Sequence, residues 1–199
     1  MLNSSRPLPT WLALGDSYTI GEGVDPADRW PSQVAAYNNM ASPQYVAKTG
    51  WTTVDLLNAI AQTSFQDQYD WISVLIGVND QYDGLGIDAY RRGLTKIMKF
   101  AIQRVIQPPR VLVVSIPDYS VAPVVKGKDV EHIALEVIQF NGVAQEIATA
   151  AAATFCDVTE LSRLATSDPT LLVEDQLHPS GKMYKLWAEK VAQVLFNTP

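Results

Sequence analysis

The stretch Trp11-Leu12-Ala13-Leu14-Gly15-Asp16-Ser17 is an uninterrupted apolar run that ends in a glycine and two polar residues. Strands of a parallel sheet need such runs because helices cover both of their faces. The glycine and the polar residues after the run are typical of a turn. The stretch therefore predicts a buried parallel strand whose carboxyl end leads into Ser17.

Four further segments are short, apolar and bounded by Gly, Pro or polar residues, and five longer segments have helical length and periodicity. The further strands are predicted at Tyr45 to Ala47, Trp71 to Ile76, Val111 to Ile116 and Phe155 to Val158. The helices are predicted at Trp30 to Met40, Thr53 to Phe65, Asp88 to Val105, Val130 to Ala153 and Ser180 to Phe196. This alternation predicts an α/β fold, a three-layer α/β/α sandwich with a flavodoxin-like five-stranded parallel sheet. We expect a single domain over residues 1–199.

Composition limits the partners of the chain. Its 199 residues, of which 47% are hydrophobic, suffice for one substantial core. The net charge of −6 and the lack of a Lys/Arg cluster argue against a nucleic-acid partner. The single cysteine, Cys156, lies in an apolar setting and is predicted to be a buried structural thiol.

The sequence shows no signal for a membrane, a metal or a cofactor. Residues Met1 to Pro9 lack the apolar stretch of a signal peptide, and no later run approaches the roughly 20 apolar residues of a membrane span. We therefore expect a soluble, cytoplasmic protein. Two histidines and one cysteine, widely separated, form no zinc-ligand cluster, and no phosphate-binding loop is present. No metal or cofactor is expected.

An acid and a histidine lie close together near the other end of the chain, in Asp175-Gln176-Leu177-His178-Pro179. A serine hydroxyl is a weak nucleophile at neutral pH. It needs an imidazole to take its proton and a carboxylate to hold that imidazole in the right tautomer. Ser17, His178 and Asp175 therefore predict a serine hydrolase, whose nucleophile and base come from opposite ends of the sequence.

Two more polar segments follow predicted strands. Gly50 follows the second strand, and Gly77-Val78-Asn79-Asp80 follows the third. In open α/β sheets the reacting centre lies outside the carboxyl ends of the strands, so these segments and Ser17 are expected to converge. Taken one at a time, each also fits an ordinary turn or a helix cap.

In these four segments the chain resembles the GDSL family of lipases and esterases, in the SGNH hydrolase branch. The matching blocks, in the order of the family, are Gly15-Asp16-Ser17, Gly50, Gly77-Val78-Asn79-Asp80 and Asp175-Gln176-Leu177-His178-Pro179. Together they span the whole chain. One departure is Tyr18, where the family name implies leucine.

The resemblance implies a role for each matched residue. Ser17 would attack the ester carbonyl, His178 would act as general base and then general acid, and Asp175 would orient His178. The oxyanion hole would comprise the backbone N–H groups of Ser17 and Gly50 and the side-chain amide of Asn79. The expected function is a cofactor-independent carboxylic-ester hydrolase with an acyl-enzyme intermediate. The resemblance also allows lysophospholipase, thioesterase and carbohydrate O-deacetylase activities.

Aromatic residues adjoin several of these positions and suggest a small-molecule ester as the partner. Tyr18, Trp51, Tyr82 and Tyr119 are candidate substrate-binding residues for short acyl, aryl or sugar-linked esters. The alternative is that these rings pack beneath loops. Two other classes also remain open, a non-catalytic carbohydrate- or lipid-binding module and a flavodoxin-like nucleotide module. The second of these is suggested by Gly21-Glu22-Gly23, which lacks the third glycine of a dinucleotide fingerprint.

Overall fold

The computed structural model describes residues 7–196. Within this range the chain forms a five-stranded parallel sheet. The strands are β1 (Trp11–Gly15), β2 (Gln44–Ala47), β3 (Trp71–Leu75), β4 (Val111–Val114) and β5 (Thr154–Cys156). Their order across the sheet is β2-β1-β3-β4-β5. The strand order thus reverses beside β1, which is where open α/β sheets form their binding crevice.

The strand β1 is the interior strand on which the site depends. Leu12 is paired with Gln44 of β2 on one side and with Ile72 of β3 on the other. All five residues of β1 are buried. Trp11 also donates a hydrogen bond from Nε1 to Ser73 Oγ at 3.0 Å. The backbone of the apolar run is therefore hydrogen-bonded within the sheet, and its side chains are buried in the core.

Helices cover both faces of the sheet. They are α1 (Ser17–Ile20), α2 (Trp30–Tyr37), α3 (Thr53–Gln62), α4 (Val78–Tyr82), α5 (Ile87–Arg104), α6 (Val130–Ala150), α7 (Thr159–Arg163) and α8 (Gly181–Phe196). Helix α2 packs against α8, whereas α5 packs against both α3 and α6. These two groups and the sheet form the three layers, and the predicted α/β fold is confirmed.

Three of the predicted helices end three residues earlier than the sequence pattern suggests. Helix α2 ends at Tyr37 instead of Met40, α3 ends at Gln62 instead of Phe65, and α6 ends at Ala150 instead of Ala153. After α2 and α6 the chain turns through a non-glycine residue of positive φ, Asn39 at 51° and Ala152 at 52°. This conformation ends a helix, but it has no fixed signature in the sequence because neither residue is a glycine.

The topology brings three β–α connections to one edge of the sheet. Ser17 lies two residues after the end of β1, Gly50 lies in the connection after β2, and Val78 begins α4 just after β3. Within residues 7–196, no helix is both long enough and apolar enough to cross a membrane. Residues 1–6, on which much of the prediction about a signal peptide rests, lie outside the described residues.

Candidate active site

A cavity of about 280 Å³ opens at the carboxyl edge of the sheet. It brings together four of the residues predicted for the catalytic triad and the oxyanion hole, Ser17, Gly50, Asn79 and His178. The other lining residues are Thr49, Val78, Tyr82, Tyr119, Val124, Val125, Lys128 and Leu177. Residues from both ends of the chain thus line the same cavity, because β1 and the segment before α8 meet at this edge.

Ser17 begins α1 and is held by the residue before it. The Asp16 side chain caps this short helix, since its Oδ1 accepts the Tyr18 N–H at 3.0 Å. The Asp16 carbonyl accepts the N–H groups of Thr19 and Ile20 at 3.1 and 3.0 Å. Both ends of the turn are therefore hydrogen-bonded, and the Ser17 backbone has a defined position at the cavity.

His178 and Asp175 form a directly bonded pair. The Nδ1 of His178 lies 2.6 Å from Oδ2 of Asp175. The other oxygen, Oδ1, accepts the backbone N–H groups of Leu177 and His178 at 2.8 and 2.9 Å. Both carboxylate oxygens are thus used, and the His178 ring is held with Nε2 as its free nitrogen.

The surroundings of Asp175 favour its charged form. Partial burial raises the pKa of this carboxyl group, but the hydrogen bonds from the His178 ring and from two backbone N–H groups outweigh that effect. The pKa of Asp175 is therefore lower than its ordinary value. An ionised carboxylate at this place holds the Nδ1 proton of His178 and can stabilise the imidazolium form.

Asn79 and Gly50 line the same cavity as Ser17. One N–H of the Asn79 amide donates to the Trp51 carbonyl at 2.9 Å, which fixes the amide plane and leaves the second N–H free to bind a ligand. Gly50 has φ of 82°, and no described atom lies within 4 Å of the position where a Cβ would be. The positive φ explains why glycine is suited to this turn.

Two contacts hold the start of α4. Gly77 has φ of 125°, and a Cβ there would lie 2.3 Å from the Tyr90 ring. The Asp80 carboxylate accepts the Thr53 N–H at 2.8 Å and the Thr53 hydroxyl at 2.5 Å, which links α4 to the start of α3. Asp80 is therefore structural, and it helps to place Asn79.

Asp16 is a buried acid with an unusual pKa. Burial raises the pKa of its carboxyl to about 8; the Tyr18 N–H opposes this shift, while the nearby charge of Asp80 adds to it. Its Oδ2 has no hydrogen-bond partner among the described residues. Asp16 therefore carries a proton at neutral pH, which removes the cost of an unpaired buried charge.

We expect Asp16→Asn to flatten the pH dependence of stability. The folded protein keeps the Asp16 proton up to about pH 8, whereas an unfolded carboxyl loses it near pH 4. The contribution of Asp16 to the free energy of unfolding therefore decreases as pH rises from about 4 to about 8. Asparagine has no such titration and keeps an oxygen for the Tyr18 N–H. Calorimetry at pH 5 to 8 should show a gain in Tm over wild type that grows with pH.

The control for this experiment is Asp67→Asn, which replaces an exposed acid. Its Tm should follow the wild-type curve across the same pH range. If the wild type and Asp16→Asn lose stability in parallel as pH rises, Asp16 is not protonated in the folded state.

The four candidate substrate-binding aromatic residues occupy different places. Tyr82 and Tyr119 line the cavity, and Tyr82 is 59% exposed. Trp51 is partly buried and does not line the cavity. Tyr18 is 2% exposed and lies beneath His178, with the ring centroids 5.5 Å apart. Its side chain is part of the core because Trp187 packs against it as well. Contact between Tyr18 and the substrate is thus not supported by its position.

Several lining residues have no signal in the sequence. Val124, Val125 and Lys128 come from the connection between β4 and α6, which has no motif and adjoins the cavity only in the folded chain. Leu177 could have been inferred, since it lies directly before His178. Thr49 also lines the cavity, and its hydroxyl donates a hydrogen bond to the carboxylate of Glu22.

The remaining candidates for metal or thiol chemistry lie elsewhere. Among the described residues no group of three or more His, Cys, Asp or Glu side chains could hold a metal ion. His132 is on α6, where its Nε2 lies 3.5 Å from Glu136 Oε1. Cys156 is buried in β5, as predicted, and burial raises the pKa of its thiol to about 11.

Known proteins resemble the chain in sequence and in fold. Residues 13–186 match the sequence model of the GDSL-like Lipase/Acylhydrolase family. A member of the lipolytic protein G-D-S-L family from Veillonella parvula has 19% sequence identity and a TM-score of 0.74, covering 96% of this chain and 99% of its own. A variant of Axe2, an acetyl xylan esterase from Geobacillus stearothermophilus, has 19% identity and a TM-score of 0.71, covering 94% of each chain. No curated protein matches the sequence.

Proposed function

The chain belongs to the GDSL-like lipase/acylhydrolase family and is a hydrolase acting on ester bonds, and from this premise we propose that it cleaves carboxylic esters through Ser17, His178 and Asp175. One observation carries the proposal. His178 is bonded to Asp175 through Nδ1 and lines the same cavity as Ser17. A base oriented by a carboxylate beside a serine hydroxyl is the arrangement that activates a serine nucleophile.

The first half of the reaction forms an acyl-enzyme. Ser17 Oγ attacks the ester carbonyl while His178 Nε2 takes the hydroxyl proton, and a tetrahedral oxyanion forms. When this intermediate collapses, the bond between the carbonyl carbon and the alcohol oxygen breaks. His178 gives its proton to the departing alcohol, and the acyl group remains on Ser17.

The second half releases the acid. Water attacks the acyl-enzyme carbonyl as His178 takes one of its protons, and a second oxyanion forms. Collapse of this intermediate returns the proton from His178 to Ser17 Oγ. The net reaction consumes one ester and one water and yields one alcohol and one carboxylic acid, and no cofactor takes part.

The oxyanion is held by three donors in this proposal. These are the backbone N–H groups of Ser17 and Gly50 and the free N–H of the Asn79 amide. A neutral amide suits the role because it donates a hydrogen bond without carrying charge. The bond from Asn79 to the Trp51 carbonyl supports it, since a fixed amide needs no reorganisation as the negative charge develops.

The lining of the cavity favours small substrates. Val78, Val124, Val125 and Leu177 give it apolar walls, and its volume of about 280 Å³ is small for a ligand site. A short acyl ester fits this space. Carbohydrate O-deacetylation is the second candidate, because the fold resembles Axe2, an acetyl xylan esterase, and acetyl is a small acyl group.

Labelling with a fluorophosphonate tests the nucleophile. We expect one covalent adduct per chain, located at Ser17 by peptide mapping, together with turnover of p-nitrophenyl acetate that ceases as the adduct forms. Protein unfolded in urea should not react, because the serine is activated only by its folded neighbours. An adduct at another serine, or a folded protein without adduct and without turnover, would contradict the proposal.

A further inference from the structure

Lys128 is the only lysine or arginine among the described residues that line the cavity of Ser17 and His178. Apart from His178, the remaining lining residues are apolar or carry uncharged polar groups. The chain as a whole has a net charge of −6. A positive charge at the cavity is therefore a local feature and does not follow from the overall composition.

The charge of Lys128 is not neutralised by a carboxylate. Among residues 7–196, no ion pair includes Lys128. Its Nζ instead donates to the Tyr82 hydroxyl at 3.2 Å and lies 4.6 Å from the centre of the Tyr82 ring. A lysine ammonium has three donors, so two remain for another acceptor. Tyr82 holds the cation without cancelling its charge.

Three acids adjoin Lys128 or a residue that lines the cavity, and each accepts a hydrogen bond from another group. Asp129 Oδ1 accepts the His132 N–H at 3.0 Å and caps α6. Glu136 Oε2 accepts a hydrogen bond from Gln81 at 2.7 Å. Glu22 accepts the hydroxyl of Thr49. None of the three lines the cavity of Ser17 and His178, whereas Lys128 does.

The backbone of Lys128 is fixed by a turn. Gly127 before it has φ of 94°. The Lys128 N–H donates to the Val125 carbonyl at 2.9 Å, and the Lys128 carbonyl accepts the Val130 N–H at 3.0 Å. Because the turn leads directly into α6, the backbone of Lys128 has a defined position. This reduces the conformational entropy that is lost when the lysine binds a ligand.

We propose that Lys128 selects esters that carry a second, anionic oxygen group, a carboxylate or a phosphate, within reach of the cavity. The inference rests on the proposed ester hydrolysis and names its substrate class. The ester group lies at Ser17, and the anionic oxygens bind Lys128 Nζ. The apolar residues that line the cavity lower the local dielectric and so strengthen this attraction.

Two matched substrate pairs test the selection. The carboxylate pair is monoethyl glutarate and its neutral amide, ethyl glutaramate. The phosphate pair is butyrylglycerol phosphate and neutral butyrylglycerol. For at least one pair, we expect the wild-type kcat/KM to be about three- to tenfold higher for the anionic member than for the neutral one. A partly exposed ion pair stabilises a complex by an amount of this size. The preference should shrink when the salt concentration rises to about 0.5 M.

Variants then assign the preference to Lys128. In Lys128→Gln the anionic and neutral members should react at similar rates, and in Lys128→Glu the neutral member should be preferred. The matched control is Lys126→Gln, which loses the same charge at an exposed residue that does not line the cavity. It should keep the wild-type ratio. The substrate pair whose preference depends on Lys128 shows whether the anionic group is a carboxylate or a phosphate.

The outcomes separate this inference from the proposed function. Equal rates for both members of both pairs in the wild type would overturn the selection while leaving ester hydrolysis in place. A preference that survives in Lys128→Gln would also overturn it. Absence of turnover for every ester, with no phosphonate adduct at Ser17, would instead contradict the proposed function itself.

Discussion

Ser17→Ala is expected to lower kcat for p-nitrophenyl butyrate by about 10⁴- to 10⁶-fold. In the proposed mechanism the Ser17 oxygen forms the acyl-enzyme, and alanine removes it, so only the slow direct attack of water on bound ester remains. The KM should change little, because the Ser17 hydroxyl contributes its bond after the substrate has bound. Initial rates over a range of ester concentrations measure both constants. Loss of fluorophosphonate labelling should accompany the loss of turnover.

The control for the nucleophile is Ser167→Ala. Ser167 is exposed and does not line the cavity, and its hydroxyl donates to the Leu164 carbonyl. Its kcat and its labelling should match the wild type. If Ser17→Ala keeps more than about one tenth of wild-type kcat, a loss far below that of a nucleophile, the acyl-enzyme pathway through Ser17 is wrong.

Asp175→Asn is expected to lower kcat by about 10⁴-fold. The oxygen of the introduced amide can still accept the backbone N–H groups of Leu177 and His178, so the amide N–H₂ faces Nδ1 of the His178 ring. Because that N–H₂ is a donor, Nδ1 must become the acceptor, and the ring proton moves to Nε2. Nε2 then cannot take the proton of Ser17. Steady-state kinetics at pH 7 to 8 measure the loss.

A neighbouring acid supplies the matched control for Asp175. Glu174→Gln makes the same change from carboxylate to amide one residue earlier, at a side chain that does not line the cavity. It should retain nearly all of the wild-type kcat. A loss smaller than about tenfold in Asp175→Asn would mean that the Asp175 carboxylate does not orient His178 in the reaction.

The strands were predictable because the signal for each lies within a few residues. The run from Trp11 to Leu14 is apolar on both faces, and β1 lies between two strands in the interior of the sheet. The short helices α1, α4 and α7 were not predicted. Four or five residues are too few for a helical period to show, and these helices depend on local contacts such as the Asp16 cap.

Some parts of the candidate site were also predictable from the sequence, and others were not. Asp175 and His178 are three residues apart, so their contact was expected from the chain itself. The position of Tyr18 in the core could not be predicted, because a tyrosine beside a serine fits equally well in a cavity or in the core. Its packing against Trp187 depends on α8, which is far away along the chain.

The sequence by itself determined the strands, the longer helices and the residues that are proposed to carry the chemistry. Apolar runs, glycine positions and the short spacing of acid and histidine are local properties. Only the tertiary structure decided the walls of the cavity, the burial of Tyr18 and the position of Lys128 away from every carboxylate of residues 7–196 that could pair with it. These features arise where segments distant along the chain meet, and their distances depend on how helices and connections pack on the sheet.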